Sequence, residues 1–135
     1  MLVSQGDELY EQRVASYWSS CQRLRPHGFV RPQTTEDVAK VVKVLAGTET
    51  GTFAVRSGGH TTWQGSSNIG QDGITIDLGA LNKTVYNPET KLASVEPGAS
   101  WSSVFAELDK HGVVVAGGRE GNVGVGGFTL GGGIS

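Results

Sequence analysis

The sequence predicts an α+β domain: a βαβ unit plus a mixed sheet with flanking helices. Three observations predict it. An apolar stripe at helical spacing (Val38, Val41, Val42, Leu45) lies between two short strand-like runs, Phe29-Val30 and Phe53-Ala54-Val55. Strand, helix, strand in that order makes a crossover unit, right-handed by rule. Alternating segments at 73–78, 84–86 and 92–96 then supply more strands, and glycine fills 21 of the 135 positions without a collagen period or linker character. Glycine at that level costs backbone entropy on folding, and loops that must approach a ligand closely are the reason to bear it.

Residues 4–20 read as an amphipathic helix. Ser4 and Asp7 form a weak cap pair, and Tyr10, Val14, Tyr17 and Trp18 fall at helical spacing. Pro26-His27-Gly28 breaks the helix, and Phe29-Val30-Arg31-Pro32 follows as a short strand ended by proline. Thr34-Thr35-Glu36-Asp37 starts the next helix with a hydroxyl acceptor and an acidic first turn, and Gly47 stops it. The strand over 52–55 comes next. Asn87-Pro88-Glu89-Thr90-Lys91 is a hairpin turn between 84–86 and 92–96. Ser100 caps a further helix with Trp101, Val104, Phe105 and Leu108 on one face and Gly112 past its end. Val113-Val114-Val115-Ala116 reads as a buried strand, after which glycine dominates. Trp18 and Trp101 are assigned to the core, and Tyr10, Tyr17 and Tyr86 to packing. Asp77 is assigned to the cap of the turn after its strand, and His27 and His111 to the surface.

Net charge is −2 and no run of Lys or Arg occurs, which argues against nucleic acid or anionic membrane as partners. No apolar stretch is long enough to span a bilayer, and Met1-Leu2-Val3-Ser4-Gln5 has neither the basic nor the apolar part of a leader peptide. Cys21 is the single cysteine, so no internal disulfide forms. The three histidines and Cys21 lack ligand spacing, so no metal site is expected.

The chemistry concentrates in two glycine-rich stretches. Arg56-Ser57-Gly58-Gly59-His60-Thr61 follows the strand over 52–55, at the end where open α/β sheets place their ligands. Side chains are shed where the backbone turns, so bare N–H groups are free to converge on a phosphate, and Arg56 adds positive charge beside them. His60 places an imidazole where a phosphate-bound ligand continues, and Trp63 either walls that ligand or packs. The second stretch is Gly124-Val125-Gly126-Gly127-Phe128-Thr129-Leu130-Gly131-Gly132-Gly133. The two loops are expected to grip a dinucleotide, with His60 against its reactive ring. A nicotinamide-binding Rossmann unit is set aside because its fingerprint needs a glycine turn between an early strand and a helix, and no helix is expected after Gly124.

Five segments occur in order: Pro32-Gln33-Thr34-Thr35-Glu36-Asp37-Val38, Val55-Arg56-Ser57-Gly58-Gly59-His60, Gly73-Ile74-Thr75-Ile76-Asp77-Leu78, Val95-Glu96-Pro97-Gly98-Ala99 and Val123-Gly124-Val125-Gly126-Gly127. Together they resemble the N-terminal part of the FAD-linked oxidases, the berberine-bridge-enzyme-like group with the vanillyl-alcohol-oxidase, PCMH type of flavin domain. The resemblance runs from about residue 25. It implies a PCMH-type FAD-binding domain over 25–135, truncated to its N-terminal subdomain, behind an N-terminal helical segment over 1–24.

By that resemblance the cofactor is FAD, and Arg56, Ser57, Gly58, Gly59, His60 and Thr61 form the pyrophosphate loop. His60 matches the histidine bonded covalently to the 8α-methyl of the isoalloxazine. Gly118, Val123, Gly124, Gly126, Gly127 and Leu130 belong to the second flavin loop. Members with a doubly attached flavin carry a cysteine shortly before Val123; Glu120 stands there, which implies a single covalent link. Phe128 stands where plant relatives often have His.

The resemblance further implies oxidation of an alcohol, sugar or secondary metabolite, with O₂ as electron acceptor and a small-molecule substrate in the full-length enzyme. The usual tyrosine base and the substrate domain would lie downstream of Ser135, so no catalytic residue is assigned. Three readings stay open: part of an oxidase, a short chain that binds FAD without turnover, and a structural remnant. Relatives are often secreted, and the compartment stays open as well.

Overall fold

A computed structural model describes residues 1–49 and 51–135. Its larger sheet has four strands: β1 (Leu2–Ser4), β2 (Gly28–Val30), β3 (Phe53–Arg56) and β4 (Ile74–Asp77), in the order β1-β2-β4-β3. β1 runs antiparallel to β2, and β2, β4 and β3 are mutually parallel. The predicted β2–helix–β3 crossover is present, but the two strands are not neighbours, because β4 lies between them. Ile76 pairs with Val30 on one side and Val55 on the other. β4 is therefore the central strand, with Thr75, Ile76 and Asp77 all buried.

α1 (Glu8–Ala15) is shorter than the periodicity suggests, since the chain leaves the helix at Ser16. Residues 2–4, partly read as helix, instead extend the sheet as β1. Tyr10, Val14 and Tyr17 pack with Val3 and Phe29 into one core, and the Tyr10 hydroxyl donates to the Pro26 carbonyl at 2.7 Å.

α2 (Thr35–Ala46) begins as expected: the Thr34 hydroxyl oxygen accepts from the Asp37 N–H at 3.1 Å. None of its side chains is fully buried: Val38, Val41 and Leu45 are half-buried and Val42 is exposed.

β5 (Thr84–Asn87) and β6 (Leu92–Val95) form the hairpin. α3 (Trp101–Asp109) opens with a capping box, in which Ser100 and Ser103 bond reciprocally. Trp101, Val104, Leu108 and Ala99 make a second core with Tyr86, Val95, Val123 and Phe128 around it.

Two expectations fail here. Val113–Ala116 forms no strand, and Val114 is 92% exposed. The glycine-rich stretch does contain a helix, α4 (Val125–Gly131). Packing against α3 overrides its poor helix propensity: the Phe128 ring meets Trp101 edge-on at 5.3 Å. α4 still makes no Rossmann unit, because the stretch before it, 113–124, contains no strand. Among the described residues no helix is long and apolar enough to cross a membrane.

Candidate functional site

The carboxyl ends of β3 and β4 face the start of α4 across a cavity of about 530 Å³, within the roughly 300–1,000 Å³ of ligand sites. Ser57, Gly58, Gly59, His60 and Thr61 line one side, and Val123, Gly124, Gly126, Gly127 and Leu130 the other. Ten of the twelve positions singled out in the sequence thus share one cavity. Val55, Ser66, Ser67, Leu78, Pro97 and Phe128 complete the wall. Those six carry no glycine or histidine signal; the ends of β3 and β4 bring Val55 and Leu78 there, the path of 61–68 brings Ser66 and Ser67, the turn before α3 brings Pro97, and α4 brings Phe128.

The two loops touch backbone to backbone. A Cβ built on Gly58 would lie 2.5 Å from the Gly124 nitrogen, and one on Gly126 would lie 2.8 Å from the Pro97 carbonyl oxygen. Gly59 has φ +70°, and a Cβ there would fall 2.8 Å from Arg56 Nε. Only glycine permits this close approach and this left-handed bend. Ser57 Oγ donates to the Pro97 carbonyl at 2.6 Å, tying the first loop to the turn before α3. The N–H groups of Gly58, Gly59, His60 and Thr61 find no acceptor among the described residues. No carboxylate lines the cavity among the described residues. Bare donors without nearby negative charge fit the diphosphate of a dinucleotide.

Arg56 and Gly118 do not line the cavity. Arg56 is 2% exposed; its guanidinium lies beneath Gly59, 3.8 Å from the Tyr17 ring centre, and donates to the Arg13 carbonyl at 2.8 Å and to Ser16 Oγ at 3.0 Å. It supports the loop from below and does not face the cavity. Burial, and then the neighbouring Arg13 charge, pull its pKa below the usual arginine range, partly offset by Tyr17 and Asp77. Gly118 packs under Trp101, whose Cδ1 would lie 2.6 Å from an added Cβ.

A buried charge cluster braces the same floor. Asp77, fully buried, takes Arg13 on both carboxylate oxygens (Nη2 at 3.0 Å, Nε at 2.7 Å) and Arg31 Nε at 3.2 Å. It also caps the turn at Gly79, as expected, accepting from that N–H at 3.0 Å. Its ionic role is not legible in the sequence, because Arg13 and Arg31 reach it from distant segments.

The loop 61–68 is pinned by Asn68. Its amide donates to the Gln22 and Leu24 carbonyls at 2.7 and 2.9 Å, and its oxygen accepts from Thr75 Oγ1 at 2.8 Å. Trp63 projects from this loop, 79% exposed, and does not wall the cavity.

Trp18, assigned to the core, is 61% exposed and stacks on the His60 imidazole, with ring centres 4.8 Å apart and planes 19° apart. The chain has already left α1 at Ser16, so helical spacing no longer applies there.

Residues 26–135 match the profile of the FAD binding domain. The chain belongs to the FAD-binding domain family. The FAD-dependent monooxygenase drtC of Aspergillus calidoustus is 44% identical over 133 residues, which are 96% of this chain and 25% of that protein. Among solved structures, a glycopeptide hexose oxidase complexed with teicoplanin superposes with TM-score 0.83 at 29% identity, over 99% of this chain and 27% of that one. Physcomitrella patens BBE-like 1 superposes with TM-score 0.81 at 25% identity, over 96% and 28%. The berberine-bridge-enzyme-like resemblance and the α+β PCMH-type fold therefore stand, and this FAD-binding domain spans about a quarter of the length of these relatives.

Proposed function

We propose that the chain binds the FAD diphosphate between the 57–61 and 123–130 loops and carries the flavin on a single covalent bond from a ring nitrogen of His60 to the 8α carbon. The contact of Gly58 with Gly124 carries this reading: it brings bare backbone of both loops together beside the cavity, with His60 on the wall. Within a longer protein, this domain serves an oxidoreductase that oxidises an alcohol, sugar or secondary metabolite with O₂ as acceptor. The FAD-dependent monooxygenase and glycopeptide hexose oxidase relatives support that class.

Bound FAD supplies hydride acceptance at N5, and the protein supplies place and polarity. The N–H groups of 58–61 hold the diphosphate. Val55, Leu78, Val123 and Phe128 give the cavity apolar wall and keep water from the ring. His60 would hold the ring end covalently: one hydrogen leaves the 8α methyl and one the imidazole, and the electron pair passes to O₂ to give peroxide, so retention would not rest on affinity. None of Tyr10, Tyr17 and Tyr86 lines the cavity, so this chain contributes binding and attachment, and proton transfer falls to other residues of the longer protein.

Titration of the apoprotein with FAD, followed by acid precipitation, tests both parts. The expected result is saturable binding and a pellet that stays yellow, while His60→Ala binds FAD and releases all of it to the supernatant. No binding overturns the whole reading; binding with complete release from the wild type overturns the attachment alone.

A further inference from the structure

We infer that Trp18 is a positioning residue for His60, an indole platform that holds the imidazole plane so that a ring nitrogen faces the cavity. The inference rests on the reading of His60 as the attachment point and assigns a residue upstream of the 26–135 match.

Three observations place it. The Trp18 indole lies nearly parallel to the imidazole, 4.8 Å away. The Trp18 main-chain N–H donates to the Gly59 carbonyl at 3.3 Å, so the residue that carries the platform is fastened to the one just before His60. The preceding residue, Tyr17, is anchored on both sides: its hydroxyl donates to the Ser67 carbonyl at 2.8 Å, and its ring lies on the Arg56 guanidinium. Tyr17 is 1% exposed while Trp18 is 61% exposed. One residue is a post set in the core, and the next carries its ring out over His60.

The consequence follows from geometry. A histidine side chain has two free torsions, and bond formation at a ring nitrogen needs its in-plane lone pair aimed at the accepting carbon. Stacking covers a face and leaves the edge, with both nitrogens, open. No hydrogen bond of the imidazole competes among the described residues, so the indole is what selects its plane. An exposed tryptophan does little else for the fold at this position, since removing it leaves no internal cavity.

The test compares wild type, Trp18→Ala and Trp18→Phe. In the apoprotein, NMR of the His60 ring protons should show upfield shielding by the indole that Trp18→Ala removes. At saturating FAD, the rate of acid-stable flavin incorporation should fall about five- to tenfold in Trp18→Ala, the worth of one aromatic stack. The affinity for non-covalent FAD should stay within about twofold, and Trp18→Phe should recover most of the rate. Attachment at the wild-type rate in Trp18→Ala overturns the inference. So does a parallel loss of FAD affinity and attachment, which marks a merely structural role. If wild type binds FAD without attaching it, the covalent reading has failed, and the NMR arm decides the platform by itself: unshifted ring protons in Trp18→Ala overturn it.

Discussion

Gly58 and Gly124 lie backbone against backbone, 66 residues apart in sequence, with room for no Cβ between them. A methyl group at either one must separate the two ligand loops, because the nearest atom it meets is main chain, the Gly124 or the Gly58 nitrogen, and cannot rotate away. Gly58→Ala and Gly124→Ala are each expected to weaken FAD binding at least tenfold by fluorescence titration. Their double mutant should lose less than the sum, since the first substitution already opens the gap. Gly131→Ala is the contrast within the same glycine-rich stretch: a Cβ there meets nothing within 4 Å. It replaces glycine inside α4 and should hold or raise stability, by up to about 1 kcal/mol.

Asp77 is one carboxylate shared by two guanidiniums in a fully buried position. Asp77→Asn keeps an acceptor for the Gly79 N–H but leaves Arg13 and Arg31 uncompensated. Removing one partner from a buried ionic group costs roughly 3–5 kcal/mol, and denaturant unfolding should show a loss of that order. Leu78, the next residue, lines the cavity, so FAD affinity should fall with it.

Burial pushes the Tyr17 phenol well above its ordinary range, outweighing the opposing pull of Arg56. In the unfolded chain the phenol ionises near pH ~10. The unfolded state therefore sheds its proton first as pH rises. The stabilisation is intact below about pH 10 and declines above it. Thermal unfolding between neutral pH and strong alkali should show that decline. Tyr17→Phe should begin about 1 kcal/mol less stable, through loss of the bond to the Ser67 carbonyl, and decline less steeply. Equal slopes would contradict the assignment.

Asn68 ties two separate segments, residues 22–24 and β4, from one buried amide. Asn68→Ala leaves the Gln22 and Leu24 carbonyls and the Thr75 hydroxyl without it. At about 1–3 kcal/mol for a buried group left unpaired, the loss should reach roughly 3 kcal/mol by chemical denaturation. Amide exchange should quicken over 61–67, which carries Thr61, Ser66 and Ser67 of the cavity wall.

What could be read from the sequence was what local chemistry decides. Thr34 and Ser100 cap their helices because a hydroxyl meets free N–H groups within three residues. The glycines at 58, 59, 124 and 126 signalled close approach, and the approach is there, whereas a Cβ on Gly127 would meet nothing within 4 Å. Long-range packing decided the rest. β1 has three residues, too few for a period to show, and is fixed by β2. Val113–Ala116 is rich in β-branched residues yet finds no strand partner. α4 forms in spite of its glycines because Val125 and Gly126 donate to the Ala99 and Pro97 carbonyls and Phe128 docks on Trp101. Arg56 sits in the motif but turns toward α1, where two main-chain carbonyls await it. Trp18 fell on an extrapolated helix face that ends at Ser16.

The most direct measurement is peptide mapping of the FAD-loaded protein after denaturation in acid and proteolysis, with flavin followed by its fluorescence and mass. The account predicts flavin on the peptide containing His60 and nowhere else. Flavin attached to another residue, or recovered entirely free after denaturation, would contradict it.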